Sequence, residues 1–186
     1  MQHRGKVSTS EESWRTWIRD NIRTAHPLLW IVENSLACAP RPLRYHPDFG
    51  GRVLLILGDA APALRHWLES LRTIGIGTIV VLSTHGEMKR YSSVVVPEPD
   101  LLSLYRSFGF LVHHHPVEDP AHAALSARLG ILDQMEKLKP LVLAEYQQRT
   151  GAMLIHCSGG MDRTAPIAAF IASRSVGQYP TSKRKG

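Results

Sequence analysis

The sequence predicts an α/β protein with a central, mostly parallel sheet flanked by helices, and three observations carry this prediction. Continuous apolar runs of strand length recur along the chain, among them "TIVVL" (78–82) and "AMLIH" (152–156). Segments with apolar residues at helical spacing alternate with these runs. The runs are typical of parallel strands buried between helices. With 44% hydrophobic and 20% charged residues, the chain of 186 residues has the composition of one globular domain.

The first 50 residues are predicted to form an N-terminal helix and an irregular lead-in. Thr9 and Glu12 have the spacing of a capping box, and the helix that follows is expected to run as far as His26-Pro27. "LLWIV" (28–32) resembles a short strand. The prolines and glycines that follow it indicate an irregular connection: Pro40, Pro42, Pro47, Gly50 and Gly51.

The main body of the domain is predicted at residues 51–175. "RVLLIL" (52–57) has the length and apolar character of a strand, and leucines and a tryptophan then recur at helical spacing behind Pro62. The apolar run 78–82 predicts a second strand. Residues 83–87, "STHGE", are predicted to be a loop at the C-terminal end of this strand.

The second half continues the alternation of helices and strands. Asp100 can cap a helix that Gly109 closes, and "FLVHH" (110–114) predicts a third strand. From Ala121 a long helix is expected, which Pro140 should kink or restart. Its apolar face is predicted to contain Leu125, Leu129, Leu132, Met135 and Leu138.

The last strand is predicted at 152–156, and a helix carrying Ile167, Ala168 and Ile171 follows it after a short loop. The closing residues 176–186 are polar and basic, and we expect a disordered tail there.

Charge and cysteine content indicate the partners and the compartment. The chain carries 22 lysines and arginines against 16 acidic residues, a net charge of +6, which favours anionic partners such as phosphorylated groups. Two cysteines are too few for a disulfide scaffold and suggest a reducing compartment, so we expect a cytoplasmic protein. No segment approaches the roughly 18 apolar residues that a membrane span requires, and none is expected.

The segment "HCSGGMDRT" (156–164) lies between the last predicted strand and a predicted helix. This arrangement turns main-chain N–H groups and the positive end of a helix toward an anion. Cys157 lies at its start, where these groups and Arg163 favour the nucleophilic thiolate. The planar fork of Arg163 can hold two phosphate oxygens, and Gly159 and Gly160 let the chain turn tightly. An inert buried cysteine is the simpler alternative.

The other residues of this segment have supporting roles in the same hypothesis. The phosphate cradle is predicted to consist of Ser158, Gly159, Gly160, Met161, Asp162 and Thr164. The hydroxyl of Thr164 could donate to the sulfur and make Cys157 a better leaving group. His156 is expected to form a hydrogen bond near the loop and to orient Cys157.

These residues resemble the cysteine-dependent protein phosphatases, whose pattern is His-Cys, five residues, then Arg-Ser or Arg-Thr. Upstream, "HGEMKRY" and "VPEPDLLSLYRSFGFLVHHHPVEDP" (within 85–120) are similar to the kinase-associated phosphatase branch of the dual-specificity group. The likeness extends over residues 51–173. It implies a protein tyrosine phosphatase-like fold and a dual-specificity phosphatase-like catalytic domain at 51–175, with no metal or organic cofactor.

The resemblance also implies a two-step reaction on a phosphorylated protein. Cys157 would form a phosphocysteine, and Asp119 matches the family's general acid. "PVEDP" (116–120) follows a predicted strand at the sheet edge where catalytic groups collect, which agrees. Asp119 could equally cap the following helix, and both roles could coexist. The family continues beyond the last helix, so a shortened C-terminal helical part is expected. Either the N-terminal helix covers the core there, or stability is reduced.

Several alternatives remain open in the sequence. Asp162 could be the proton donor instead, since the loop also resembles that of the myotubularin lipid phosphatases. Met161 replaces the lysine that phosphoinositide phosphatases often carry, which favours phosphoproteins over phosphoinositides or other small phosphate monoesters. A non-catalytic phosphate-binding module is a further alternative. Glu87 could form an ion pair with Arg163 or be a solvated carboxylate.

Metal and nucleic-acid binding are not expected. Consecutive strand residues point to opposite faces, so of the three adjacent histidines only His113 and His115 could share a metal ion. The basic residues of the tail are typical of a solvated terminus. No nucleic-acid partner is therefore predicted.

Overall fold

The computed structural model describes residues 10–24, 27–51 and 55–175, which form an α/β fold with one five-stranded sheet. The strands are β1 (Leu29–Val32), β2 (Leu36–Ala39), β3 (Ile76–Val81), β4 (Leu111–His114) and β5 (Ala152–His156). The helices are α1 (Glu11–Asn21), α2 (Ala61–Thr73), α3 (His85–Met88), α4 (Leu101–Ser107), α5 (Leu125–Gln148) and α6 (Thr164–Ser175). Short 3₁₀ segments span Gly58–Ala60 and Lys89–Tyr91.

The sheet order is β1-β2-β5-β3-β4, with β1 antiparallel to β2 and every other neighbouring pair parallel. The predicted mostly parallel sheet is therefore confirmed. The carboxyl ends of β2, β5, β3 and β4 meet at one edge, where parallel sheets place their functional loops. No helix within the described ranges is both long and apolar enough to cross a membrane.

β2 was not predicted from the sequence, and the strand predicted at 52–57 is absent from its described part, residues 55–57. Residues 36–39 form β2, and all four side chains are buried beside β5. Their short run with two alanines carries a weak strand signal. Residues 55–57 are not in a strand, and Leu55 and Leu57 are 46% and 63% exposed. Residues 52–54 of that prediction lie outside the described residues. The segment assigned to the lead-in thus supplies two of the five strands.

Helix α1 covers one side of the sheet. It begins after the N-cap Ser10, whose hydroxyl accepts from the Ser13 N–H, and it ends at Asn21, earlier than predicted. The predicted cap Thr9 lies outside the described residues. Trp14, Ile18 and Ile22 are fully buried, and α1 packs against α6. Helix α1 therefore covers the hydrophobic core beside α6. This agrees with the first of the two alternatives given for the N-terminal helix above.

Helix α5 differs from its prediction in continuity and in its buried face. It runs through Pro140 without restarting, because the proline lies on the exposed side, where water can bind the carbonyl that loses its helical donor. Leu125 and Leu129 are 79% and 76% exposed, whereas Met135 and Leu138 are buried. The buried stripe shares Met135 and Leu138 with the prediction, but it begins at Ile131 instead of Leu125 and continues through Val142 to Tyr146.

The remaining predicted elements are confirmed. Helix α2 follows the Pro62 signal, and α4 begins after Asp100, whose carboxylate accepts from the Ser103 N–H at 2.7 Å. The strands β3, β4 and β5 lie within a residue or two of their predicted ranges. The division of the chain at residues 50 and 175 stays a prediction, and the expected tail at 176–186 lies outside the described residues.

Candidate active site

Cys157 directly follows β5, the middle strand of the sheet, and is 1% exposed. The chain then turns back on itself, and the Gly160 N–H donates to Sγ of Cys157 at 3.2 Å. Gly160 has φ +77°, a left-handed conformation that glycine adopts without strain. After this turn α6 begins at Thr164. The structure therefore brings Cys157, a main-chain donor and a helix N-terminus together, as predicted from the sequence.

We define residues 157–163 as the nucleophile loop. Three residues from the N-terminal part of the chain, Ile22, Pro40 and Arg41, contact this loop. A Cβ placed on Gly160 would lie 2.8 Å from Cδ1 of Ile22 and 3.1 Å from the Pro40 nitrogen, so a larger residue would have to displace the end of the Ile22 side chain. The Arg41 N–H donates to the Ser158 carbonyl at 3.2 Å. Sequence reasoning missed these contacts, because no local pattern pairs Ile22 or Arg41 with a loop more than a hundred residues away.

The guanidinium of Arg163 is held by hydrogen bonds to residues outside the nucleophile loop, and its side chain is 1% exposed. Nη1 donates to Oε2 of Glu87 at 2.6 Å and to the Val117 carbonyl at 2.8 Å. Nη2 donates to Oε1 of Glu87 at 2.7 Å. Burial alone would lower the pKa of Arg163, but the hydrogen bonds and charge of Glu87 outweigh burial and raise it. The guanidinium is therefore permanently charged and fixed in orientation.

This network leaves one edge of the Arg163 fork unoccupied. Two N–H groups of Nη1 and one of Nη2 are engaged, and Nε has no hydrogen-bond partner among the described residues. The Nε–H and the second Nη2–H lie on the same side of the planar group. That edge can bind two oxygens of one phosphate.

Glu87 comes from a segment predicted as a loop, and this prediction is wrong because a capping box folds it into α3. The Thr84 hydroxyl accepts from the Glu87 N–H at 3.2 Å, and Oε2 of Glu87 accepts from the Thr84 N–H at 2.9 Å. The open question about Glu87 is resolved in favour of an ion pair with Arg163. Burial alone would raise the pKa of Glu87, but the hydrogen bonds and charge of Arg163 outweigh it and lower the pKa.

Asp119 lies in the segment after β4. Its Oδ2 is 3.7 Å from Nη2 of Arg163 and 3.1 Å from Nδ1 of His122, while its Oδ1 accepts from the Ala121 N–H at 3.0 Å. Because α5 starts only at Leu125, Asp119 caps a turn and not that helix. The structure therefore places this carboxylate beside the guanidinium of Arg163.

Asp162 has a different environment. Its Oδ1 is 4.0 Å from Nη2 of Arg19 on α1, and its side chain is 32% exposed. Both candidate acids thus lie near the loop, but Asp119 is the one that contacts Arg163.

His156 and Thr164 are buried on either side of the loop. Nε2 of His156 lies 3.2 Å from the Tyr105 hydroxyl, and burial lowers the pKa of His156 to about 4, so the ring is neutral near pH 7. The Thr164 hydroxyl has no hydrogen-bond partner among the described residues and makes no hydrogen bond to the sulfur. Its predicted donation to Cys157 stays a prediction, as do the roles of the other loop residues.

Two of the three consecutive histidines contact the same carboxylate oxygen. His113 Nδ1 and His115 Nε2 lie 3.1 and 2.9 Å from the same oxygen, Oε1 of Glu145 on α5. The two histidines share a face, as the alternation of strand residues predicted. Within the described part of the chain, no group of three ligating side chains is arranged to hold a metal ion.

We predict that Glu87→Gln lowers both stability and turnover. The substitution leaves Arg163 buried without a counterion, and we expect a loss of about 2 kcal/mol in the free energy of unfolding. Because the pKa of Glu87 is lowered in the folded state, the stabilisation is present above its ordinary value of 4.5 and is lost as the pH falls through the lower folded-state pKa. Urea unfolding of the wild type and the variant between neutral and acid pH measures the loss in the free energy of unfolding and its pH dependence.

Glu118→Gln is the matched control, since Glu118 is exposed in the segment before Asp119. Equal stability of the Glu87 variant and the control at neutral pH would contradict the prediction.

The fold and the site together define the class, a protein tyrosine phosphatase-like domain. The chain superposes on a crystal structure of kinase associated phosphatase, in which the catalytic site cysteine is substituted by serine, with a TM-score of 0.52. This match covers 80% of this chain and 75% of that one at 22% identity, and it shows the fold.

The family model described as Cyclin-dependent kinase inhibitor 3 (CDKN3) matches residues 57–176, and the chain belongs to this family. Cyclin-dependent kinase inhibitor 3 from Sus scrofa is 32% identical over 103 residues, and the Homo sapiens protein is 33% identical over 103 residues. Each alignment covers 55% of this chain and 42% of the relative, so the chain spans less than half the length of these relatives.

Proposed function

We propose that the chain is a phosphoprotein phosphatase that hydrolyses phosphotyrosine through a phosphocysteine intermediate, with phosphoserine and phosphothreonine monoesters as further candidate substrates. The observation that carries the proposal is the free edge of Arg163, held in place by Glu87 at the loop that begins with Cys157. Fixed donors of this kind stabilise charge on a transferring phosphoryl group without reorganising during the reaction.

In the first step, the thiolate of Cys157 attacks phosphorus and the bond from phosphorus to the leaving oxygen breaks. The Nε–H and Nη2–H of Arg163 and the loop N–H groups hold the equatorial oxygens. Asp119 gives its proton to the leaving oxygen, so that the alcohol or phenol departs neutral. Its 3.7 Å distance from Arg163 supports this role, because an acid beside the phosphate-binding edge lies near the bond that breaks.

In the second step, water attacks the phosphorus of the phosphocysteine. Asp119, now a carboxylate, takes a proton from that water, and the bond between sulfur and phosphorus breaks. Inorganic phosphate and the Cys157 thiolate result. The chemistry needs no metal or organic cofactor.

The substrate class follows from the family and from the charge of the chain. The names cyclin-dependent kinase inhibitor and kinase associated phosphatase support a phosphorylated protein as partner. A net charge of +6 favours such anionic partners. Met161 in place of a loop lysine supports phosphoprotein over phosphoinositide substrates. We also propose a cytoplasmic location, since both cysteines are free.

A substrate panel tests the proposal. Phosphate release is measured from matched phosphotyrosine and phosphothreonine peptides, from an aryl phosphate and from soluble phosphoinositide headgroups. We expect release from the peptides and the aryl phosphate, with peptides preferred over headgroups. Preference for headgroups would overturn the substrate assignment, and binding of phosphopeptides without release by folded protein would indicate a non-catalytic phosphate-binding module.

We predict that Asp119→Asn slows hydrolysis of phosphopeptides roughly a hundredfold, because the leaving oxygen then departs without a proton. An aryl phosphate with a good leaving group should lose much less. The comparison variant is Asp162→Asn, which removes the other carboxylate near the loop and is expected to have a small effect. A harmless Asp119→Asn together with a severely impaired Asp162→Asn would move the general acid to Asp162.

A further inference from the structure

A groove of about 630 Å³ lies between α2 and residues 40–46, the segment that follows β2. Its volume falls within the range of about 300 to 1,000 Å³ that is typical of sites for small organic ligands. No residue of the nucleophile loop lines it. Its apolar and aromatic walls include Pro27, Leu43, Tyr45, Ala63, Trp67 and Ile74.

Two arginines line this groove, and both lack a charged partner. Arg41 is 3% exposed, and its Nη2 donates to the Gly51 carbonyl at 2.6 Å. Nη1 of Arg44 donates to the same oxygen at 2.5 Å. The other acceptors of Arg41 are also neutral, the Pro42 carbonyl and the Tyr91 hydroxyl. Among the described residues both arginines donate only to neutral oxygens, and neither Nε has a hydrogen-bond partner.

This arrangement leaves a local excess of positive charge. Two guanidiniums that converge on one neutral oxygen repel each other, and burial weakens their compensation by water. The effect reaches Arg90, whose pKa is lowered by burial and by the charges of Arg41 and Arg44. Two histidines also line the groove, and the acid that lines it, Glu69, is exposed on α2.

We propose that this groove binds a small amphiphilic anion, an aromatic or acyl carboxylate, sulfonate or phosphate ester. The charged group of the ligand is neutralised by Arg41 and Arg44, and its apolar body packs against Leu43 and Trp67. An anion supplies the missing countercharge, and an apolar body displaces water from a mainly apolar wall. The inference does not rest on the proposed phosphatase activity, because no residue of the nucleophile loop lines the groove, although Pro40 and Arg41 contact both.

The test uses anilinonaphthalene sulfonate, which joins an aromatic body to one anionic group and fluoresces in apolar surroundings. The full chain is titrated with the dye, and energy transfer from tryptophan to the dye is recorded, since Trp67 lines the groove. We expect saturable binding at one site per chain, with energy transfer that Trp67→Phe reduces. Inorganic phosphate, which would fill the nucleophile loop, should not displace the dye.

Two groove variants and one control make the assignment specific. Arg44→Gln removes one charge, and we expect roughly tenfold weaker binding. Ala63→Trp places a large ring in the groove and should abolish binding, with circular dichroism confirming the fold. The control Arg106→Gln removes the same charge from α4 and should bind as wild type. Unchanged affinity in Arg44→Gln, or displacement of the dye by phosphate, would overturn the proposal even if Ala63→Trp failed to fold.

Discussion

Replacement of the proposed nucleophile, Cys157→Ser, is expected to reduce turnover of every substrate by roughly 10⁵-fold or more, while phosphate binding persists. A serine hydroxyl is a far weaker nucleophile than the sulfur of Cys157, to which the Gly160 N–H donates a hydrogen bond at 3.2 Å. The rate of phosphate release from a phosphotyrosine peptide measures the loss, and phosphopeptide binding by the variant shows that the cradle remains.

The second cysteine offers a matched control for this experiment. Cys38 on β2 is also fully buried, and burial raises its pKa well above the ordinary value, so it is an inert thiol at neutral pH. Cys38→Ser should keep its activity as long as it folds. Rapid acid quenching with labelled substrate should leave phosphate on the wild-type chain and none on Cys157→Ser. Turnover by Cys157→Ser at a rate near wild type would exclude the sulfur as the nucleophile.

The second large effect is expected from Arg163→Lys, which should lower kcat/KM roughly a thousandfold. A lysine ammonium keeps the charge but cannot reach both carboxylate oxygens of Glu87 and also present two parallel donors to phosphate. The same change should reduce the free energy of unfolding by about 2 kcal/mol, since it breaks a buried bidentate pair. Steady-state kinetics and urea unfolding measure the two losses separately.

The double variant Glu87→Gln/Arg163→Lys separates positioning from phosphate binding. If Glu87 acts only through Arg163, its removal should cost little more activity once Arg163 is a lysine. The exposed change Arg106→Lys serves as the control for altering an arginine elsewhere. Additive losses from the two single changes would show that Glu87 acts on the substrate by another route.

Residues 154–166 could be interpreted from the sequence because their signals are local. An apolar strand, a glycine turn and a helix start follow one another, and in the structure Cys157 follows β5, the Gly160 N–H donates to its sulfur and α6 begins at Thr164. The cap at Asp100 was equally predictable, because the acceptor and its donor Ser103 are three residues apart. Where the signal and its physical cause lie in the same short segment, sequence reasoning is sufficient.

The rest of the site depends on contacts between distant segments. β2 has a weak strand signal of its own and gains its place from hydrogen bonds to β5. The ion pair of Glu87 with Arg163 joins residues 76 positions apart, so the sequence could only offer it as one of two alternatives. In α5 the buried stripe runs from Ile131 to Tyr146, and the point along the helix where burial begins is set by packing against other elements, α6 among them, which a helical period alone does not determine.

The contacts of Ile22 and Pro40 behind Gly160 bear on control of the proposed activity. While α1 is packed in place, Ile22 fills the space behind the nucleophile loop. The rigidity of this loop therefore depends on a residue outside it. Displacement of α1 from α6 would remove this support. We then expect the proposed activity to be lost, although Cys157, Arg163 and Asp119 would all still be present.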